Sequence, residues 1–505
     1  MRPAVFWPPA IVLLAALFAS TLNFDGFLAF MTSINTAMLS QFGWLFSIAT
    51  FAGVVLLGGV FISPLGGVRI GGEDATPILR RWNWFAITLC TTIATGILFW
   101  GAAEPIFHVS GPPDFANVNG DPDAAARFAL STVYLHWSIT PYAIYATAAL
   151  AFALAFHNLK GKYSLSAPLS VLIGSRANGV AGNLLDALAL YALVAGVAAS
   201  LGAGVMTLAG GLEKTLGVAD TIWSRLGVTV AIVMVYVASS VSGLQRGIKF
   251  LSDINVRIFF VLAAFIFLAG PSMEIMTLGA ESLGAYIQDF VPRSIGLGGL
   301  LNDPWTNDWT VFFFANWLAW APITAMFLGR IAVGYTVREF LLFNLILPAI
   351  FGIVWMTIFG ASAITADAST GGSLVAALNA AGPESVIYAL LDFLPFTQFV
   401  VFAFILTTFV SFVTAMDSNT HSIAGVCIKS SEPTVMDGRA AVSVKIFWGV
   451  LIGAISWVMT STNGIDGIRM LVNLGGAPGL LIMLGSGFVL IRLMMRGAEA
   501  LNTPS

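Results

Sequence analysis

The stretch DWTVFFFANWLAWAPITAMFLGR, residues 308–330, decides how this chain is read. It is apolar enough to cross a bilayer, yet it holds three Trp, three consecutive Phe, an Asn, a Pro and two Thr. Phe314, Trp317 and Trp320 follow one another at i, i+3 spacing, which lines them along one helix face. Trp normally gathers where a spanning helix meets the headgroups. A stripe of rings in the interior of a span asks for another explanation.

The rest of the composition fits a membrane setting. Of 505 residues, 58% are hydrophobic and 9% are charged, with a mean hydropathy of +0.90. Soluble domains carry roughly 25% charged residues, so a chain this long and this depleted reads as many spanning helices. The net charge of -3 gives no footing for a nucleic-acid partner. Cys90 and Cys427 both lie in or beside apolar runs, which argues against a disulfide framework or a metal cluster. The four histidines are scattered along the chain and show no metal-ligand spacing.

Apolar runs of about 20 residues fall near 9–31, 42–64, 83–106, 129–157, 183–212, 223–243, 251–271, 308–329, 340–362, 396–424, 444–461 and 470–492. This predicts twelve transmembrane helices in an all-α membrane protein. The N-terminus resembles a signal peptide, but its apolar character runs on to about residue 31 and is read as the first span. The stretch 273–292, with Glu274, Glu281 and Asp289, reads as a surface helix. Alternating the loops puts five basic residues, Arg127, Lys214, Arg225, Arg293 and Arg469, on one side. The remaining seventeen of the 22 Lys and Arg fall on the other. The basic side marks the cytoplasm, so both termini are expected there, in a bacterial inner membrane.

A second interior aromatic group sits in YLHWSITPYAIYA, residues 134–146, with Trp137, Tyr142 and Tyr145. Two readings stand. The stripes fill gaps between packed helices, or they form a cage of ring faces. A cage suits a cation without hydrogen-bond donors, such as a trimethylammonium group, at about 0.5–2 kcal/mol per ring contact.

At these residues the chain resembles the betaine/choline/carnitine transporters. The segments that carry the resemblance are GILFWGAAEPIFH, HWSITPYAIYA and DWTVFFFANWLAWAP…FLGRIAVGYTVREF. The resemblance covers nearly the whole chain. It implies the leucine-transporter-type fold: two N-terminal helices (1–82), a five-helix repeat (83–272), an outer-side surface helix and loop (273–306), an inverted five-helix repeat (307–493) and a short tail (494–505). It also implies a homotrimer. Carried over by position, the family's aromatic box falls on Trp137, Tyr142, Tyr145 and Trp317, with Trp320 at a second aromatic position nearer the cytoplasm. Tyr142 and Phe314 stand where the family usually has Trp. Asn316 replaces the first of its Trp pair, as a partner for the solute's polar end or as a packing residue.

The third span is glycine-rich and unwound in the family. Here Gly96 matches, while Thr92 and Ala94 occupy two other glycine positions. Thr91, Thr92 and Thr95 either bond back to the preceding turn or present oxygens toward the solute, which makes Thr95 and Gly96 candidate binding residues. Sodium takes oxygen ligands as other hard cations do. The resemblance points to carbonyls of Cys90 and Ile93 with Ser411 and Thr414, whereas Leu193 and Val197 remove the oxygens of the family's second ion site. Asp417 and Arg257 stay open between structural and ion-linked roles. Glu104, an acid at the end of a span and so a functional candidate, is more readily read as capping a helix or anchoring a loop near the outer face. His136 is expected to face away from its neighbour Trp137.

The resemblance thus implies a secondary transporter, not an enzyme, with no cofactor beyond a possible coupling Na+. The solute would be glycine betaine, choline, carnitine, trimethylamine N-oxide or dimethylsulfoniopropionate. Sodium symport is favoured, with proton symport or sodium-independent exchange as the alternative. A channel would need a continuous polar pore, and an enzyme a nucleophile, base or metal constellation.

Overall fold

The computed structural model describes residues 1–93, 96–242, 245–297, 303–428, 439–497 and 501. Among these, helices carry the fold, with one isolated bridge between Arg69 and Thr336. The longer helices are α1 (Pro3–Leu22), α2 (Phe24–Ile62), α3 (Arg81–Ile93), α4 (Gly96–Ser110), α5 (Pro122–Trp137) and α6 (Ile139–Ala153). They continue as α7 (Val180–Leu216), α8 (Ile222–Ser242), α9 (Gln245–Ala269), α10 (Ser272–Ser294) and α11 (Phe312–Ile331). The remainder are α12 (Val337–Ser369), α13 (Ser373–Ala381), α14 (Pro383–Leu391), α15 (Thr397–Cys427) and α16 (Arg439–Arg496). α16 is two helices joined across Gly464, whose φ of 51° lies in the left-handed region that glycine tolerates.

Ten helices among the described residues are long and apolar enough to cross a membrane, or eleven if the bent pair α9–α10 counts as one. This count covers the described residues alone and does not fix the expected twelve; the expected span 83–106 contains α3 and α4, and residues 94–95 between them lie outside the described residues. The expected first span, 9–31, is redrawn. The chain breaks at Asn23, whose side chain accepts from the Gly26 amide and so caps α2. α10 turns 106° from α9.

Burial sorts the helices into centre and rim. The apolar window of Pro122–Asn158 is 89% buried and that of Pro304–Ile331 is 83% buried, against 33% for α1 and 22% for Ile222–Ser239. The aromatic helices are therefore the centre of the bundle, and α1 and α8 present apolar side chains outward, where lipid solvates them. The central seam runs where α11 packs on α6 and α16. Small residues set its spacing: a Cβ on Gly476 would come within 2.6 Å of Ala315, and one on Gly479 within 2.1 Å of the Leu318 carbonyl. Such close backbone approach is the usual device of membrane helix pairs, where lipid supplies no hydrophobic drive.

On the side read as cytoplasmic, the stretch 330–340 closes the ends of two helices. Thr336 and Glu339 form a capping box at the start of α12. Arg338 donates to the carbonyls of Phe61 (2.8 Å) and Ser63 (3.1 Å), satisfying the end of α2. Tyr335 stacks on Trp84 at 4.1 Å.

The opposite side carries a buried ionic knot. Arg225 pairs with Asp220 at 2.7 Å and with Glu384 of α14 at 3.1 Å, and donates to the Thr460 carbonyl just before the Gly464 break. Burial pushes the Glu384 carboxyl up to about 7 against the pull of Arg225. A raised folded-state value means the folded chain holds this proton more tightly than the unfolded one. The stabilisation is full below about pH 4.5 and is lost as pH rises through about 7. Glu384→Gln is expected to flatten that part of the profile in thermal unfolding scans. A wild-type-like slope in the variant counts against the assignment.

Candidate functional site

The site begins at a break in the fourth expected span. Pro141 has no amide hydrogen, so it cannot bond back to the carbonyl of Trp137. The helix interrupts at Ser138 (φ -123°, ψ -117°) between α5 and α6. Two carbonyls are freed. That of Trp137 points at Gly352, where a Cβ would lie 2.3 Å away. That of His136 accepts the indole N–H of Trp317 at 3.0 Å.

This bond hangs the Trp317 ring among three others. Its centroid lies 5.5 Å from Trp137 at 77°, 5.5 Å from Tyr142 at 58° and 5.0 Å from Tyr145 at 62°. All four residues are at most 3% exposed. Gly96 lets Trp137 approach, since a Cβ there would lie 3.0 Å from the indole. Edge-to-face and tilted contacts of this kind are preferred arrangements of aromatic pairs, and the four rings form one buried cluster.

The other ring candidates fall elsewhere. Phe314 lies 6.4 Å from His136. Its neighbour Phe313 is the ring that reaches Trp137, at 5.5 Å, and stacks on His136 at 4.7 Å. Trp320 packs on Gly196 of α7. Asn316 is half-buried. Thr95 lies outside the described residues.

Behind the box is a polar cluster that the sequence reading missed. Glu104 accepts the Trp137 indole N–H at 2.6 Å through one oxygen. Its other oxygen lies 2.6 Å from Nδ1 of His136 and 3.3 Å from Nε2 of His108. The far nitrogen of His136 is 3.0 Å from the Thr310 hydroxyl. Glu104, His108 and His136 are fully buried. Two expectations are corrected here. Glu104 neither caps a helix nor anchors a loop but braces a ring of the box. His136 and Trp137 do not diverge, because the helix ends beside them and both reach the same carboxylate. The histidines at 108 and 136 are far apart in sequence but adjacent in space. Ligand atoms of the three residues lie within 4.8 Å of one another. Yet 2.6 Å between a Glu104 oxygen and the His136 nitrogen is a hydrogen-bond distance, shorter than two ligands flanking one tetrahedral ion would allow at about 2.0 Å each.

The chain matches the model of the betaine/carnitine/choline family of transporters over residues 4–499. It belongs to that family. It is 31% identical to the glycine betaine transporter OpuD of Bacillus subtilis, over 99% of this chain and 97% of that protein. It is 29% identical to an ectoine/hydroxyectoine transporter of Virgibacillus pantothenticus, over 91% and 90%, and 30% identical to glycine betaine transporter 1 of Vibrio parahaemolyticus, over 87% and 83%. Among solved structures, a Na+-coupled sialic acid symporter superposes with a TM-score of 0.51 at 16% identity. The match covers 90% of this chain and 86% of that one, a likeness of fold. The chain is thus an integral membrane transporter of the betaine/carnitine/choline family.

For a transporter of this family the ion candidates also need placing. Ser411 is buried and Thr414 half-buried on α15, with the Thr414 hydroxyl donating to the Ser411 carbonyl at 3.0 Å. Asn255 of α9, which the sequence reading did not single out, donates to the Ser411 hydroxyl at 2.6 Å. Its buried amide oxygen has no hydrogen-bond partner among the described residues. A spare amide oxygen beside two hydroxyls is a donor set that a hard cation accepts. The side chains of Cys90, Ile93 and Asp417 lie outside the described residues. Arg257 is exposed.

Proposed function

We propose that this transporter imports a methylated onium solute, such as glycine betaine, choline or carnitine, by alternating access across the bacterial inner membrane, with both termini in the cytoplasm and sodium as the coupling ion. The observation that carries the solute class is the convergence of Trp137, Tyr142 and Tyr145 on Trp317 within 5.0–5.5 Å, buried at a helix break. A methylated cation offers no hydrogen-bond donor, so ring faces replace its hydration where a carboxylate is not required. The glycine betaine transporters among the relatives support this class.

The rings are in mutual contact, so a head group has to part them, and that motion is shared between helices of both proposed five-helix repeats. Gly96 borders the box at Trp137, and it and Asn316 are the candidates for the solute's polar end. The working unit is read as a homotrimer.

The sodium reading rests on Ser411, Thr414 and the spare oxygen of Asn255. The relevant measurement is uptake of labelled glycine betaine, choline, carnitine and ectoine into proteoliposomes under imposed sodium or proton gradients. Uptake of at least one onium solute that requires external sodium is the expected result. Asn255→Leu removes one oxygen ligand and is expected to raise the sodium concentration for half-maximal uptake about tenfold, as for one lost ion–dipole contact. Equal uptake without sodium overturns the coupling ion. Uptake of ectoine alone overturns the onium class.

A further inference from the structure

We propose that Glu104 is a proton-binding site wired to the solute cage, so that a proton on its carboxyl and a cationic head group among the rings exclude one another. The inference rests on the onium reading above.

The geometry is that of a two-state acid. With Glu104 ionised, the carboxylate accepts from the indole of Trp137 and from the imidazole N–H groups of His136 and His108, which satisfies an anion in a site that excludes water. When a proton binds, one Glu104 oxygen becomes the donor to Nδ1 of His136. The Nδ1 hydrogen of His136 passes to that oxygen, the entering proton is taken up at Nε2 by way of the Thr310 hydroxyl, and the imidazole then donates to Thr310. Trp137 keeps its bond to the other oxygen in both states. One proton enters from the outer solution and none is lost elsewhere, so the cluster's charge changes by one. His108 is the outward member, two residues from the end of α4, and its Nδ1 has no partner among the described residues.

The surroundings leave this charge only partly balanced. Arg469 of α16 acts on Glu104 across the ring of Trp309, which its guanidinium covers at 4.4 Å. It is shared with Asp466 at 3.5 Å and with the field of Asp308. Arg293 of α10 acts on both histidines but is engaged by Thr132 and the Phe128 ring. Other titratable groups on the packed helices are occupied. Tyr134 bonds Thr357, Asp367 holds the amides of Leu374 and Val375, Glu384 pairs with Arg225, and Tyr388 donates to the Thr207 carbonyl. Tyr142 and Tyr145 belong to the cage itself.

The cage lies on the other side of one indole from Glu104. Two unit charges about 10 Å apart at an effective dielectric near 20 shift each other's binding by roughly tenfold. The coupling is reciprocal: the solute expels the proton by the same factor with which the proton weakens the solute.

The test uses the purified full chain in lipid vesicles. Glu104→Gln keeps an acceptor for Trp137 and a donor for His136 while removing the charge. Infrared difference spectra across a pH titration are expected to show a protonated-carboxyl stretch that fades toward the alkaline end and is absent from E104Q. Thr310→Val, which removes only the outer partner of His136, is expected to move the midpoint and keep the band. Titrations with glycine betaine, choline and tetramethylammonium are expected to give affinities about tenfold tighter at the alkaline end in the wild type and flat in E104Q. A band unaltered by E104Q, or an equal pH slope in wild type and E104Q, overturns the proton site while leaving the onium reading intact. A pH-responsive Glu104 band with no binding of any of the three compounds overturns the coupling and the onium reading together.

Discussion

Trp317→Ala is expected to lower the affinity for the transported onium solute by about a hundredfold or more. The ring touches all three other members of the box. Removing it deletes one face outright and the edge against which the others rest. Ring–cation contacts are worth about 0.5–2 kcal/mol each when desolvated, and losing the equivalent of two brings the effect to two orders of magnitude. Truncating a buried Trp also costs about 3–5 kcal/mol of stability through the cavity it leaves, so the variant needs a companion. Trp317→Phe keeps a ring but drops the N–H donated to the His136 carbonyl. One buried hydrogen bond is worth about 1 kcal/mol net, and a loss of roughly fivefold is expected. Isothermal titration and uptake in proteoliposomes measure both. Wild-type affinity in Trp317→Ala for every methylated cation would remove the cage from consideration.

Gly479→Val is expected to leave little folded protein. The first carbon of any side chain at 479 would sit 2.1 Å from the Leu318 carbonyl and 3.2 Å from the Ala319 amide nitrogen. These are backbone atoms of α11, which cannot rotate away as a side-chain end can. Forcing α16 outward opens the central seam, at a cost of about 3 kcal/mol or more. Gly58→Ala on α2 is the matched control, since nothing lies within 4 Å of its added carbon. Yield on gel filtration and thermal unfolding in detergent read the difference. Equal yields for the two variants would mean the seam is not close-packed.

Much of the bundle was legible because a spanning helix is a long signal. Hydropathy over 20 residues located the deeply buried helices around Trp137 and Trp317. The family segments named the four rings that the fold brings into contact. The misses have local causes. The break at Asn23 carries no Pro and rests on one side-chain cap to the Gly26 amide. Glu104, His108 and His136 escaped because their meeting depends on the end of α5. A continuous helix would have turned His136 and Trp137 apart. The signal was present in Pro141, four residues after Trp137, which forbids the bond that would have kept the helix whole. Phe313 and Phe314 illustrate a finer limit. Four and three residues before Trp317, both lie near its helix face, and only the packing against Trp137 and His136 singles out Phe313.

The hydrogen bond from Trp317 to the His136 carbonyl has a mechanical meaning. One tether joins a ring planted on α11 to the last turn of α5, at the level where the α5–α6 rod is cut. Anything that wedges the rings apart therefore pulls on a severed end rather than on an unbroken cylinder. The compliance of the aromatic cluster is thus governed at Ser138, whose hydroxyl is itself tied to the Tyr134 carbonyl and the Tyr286 phenol.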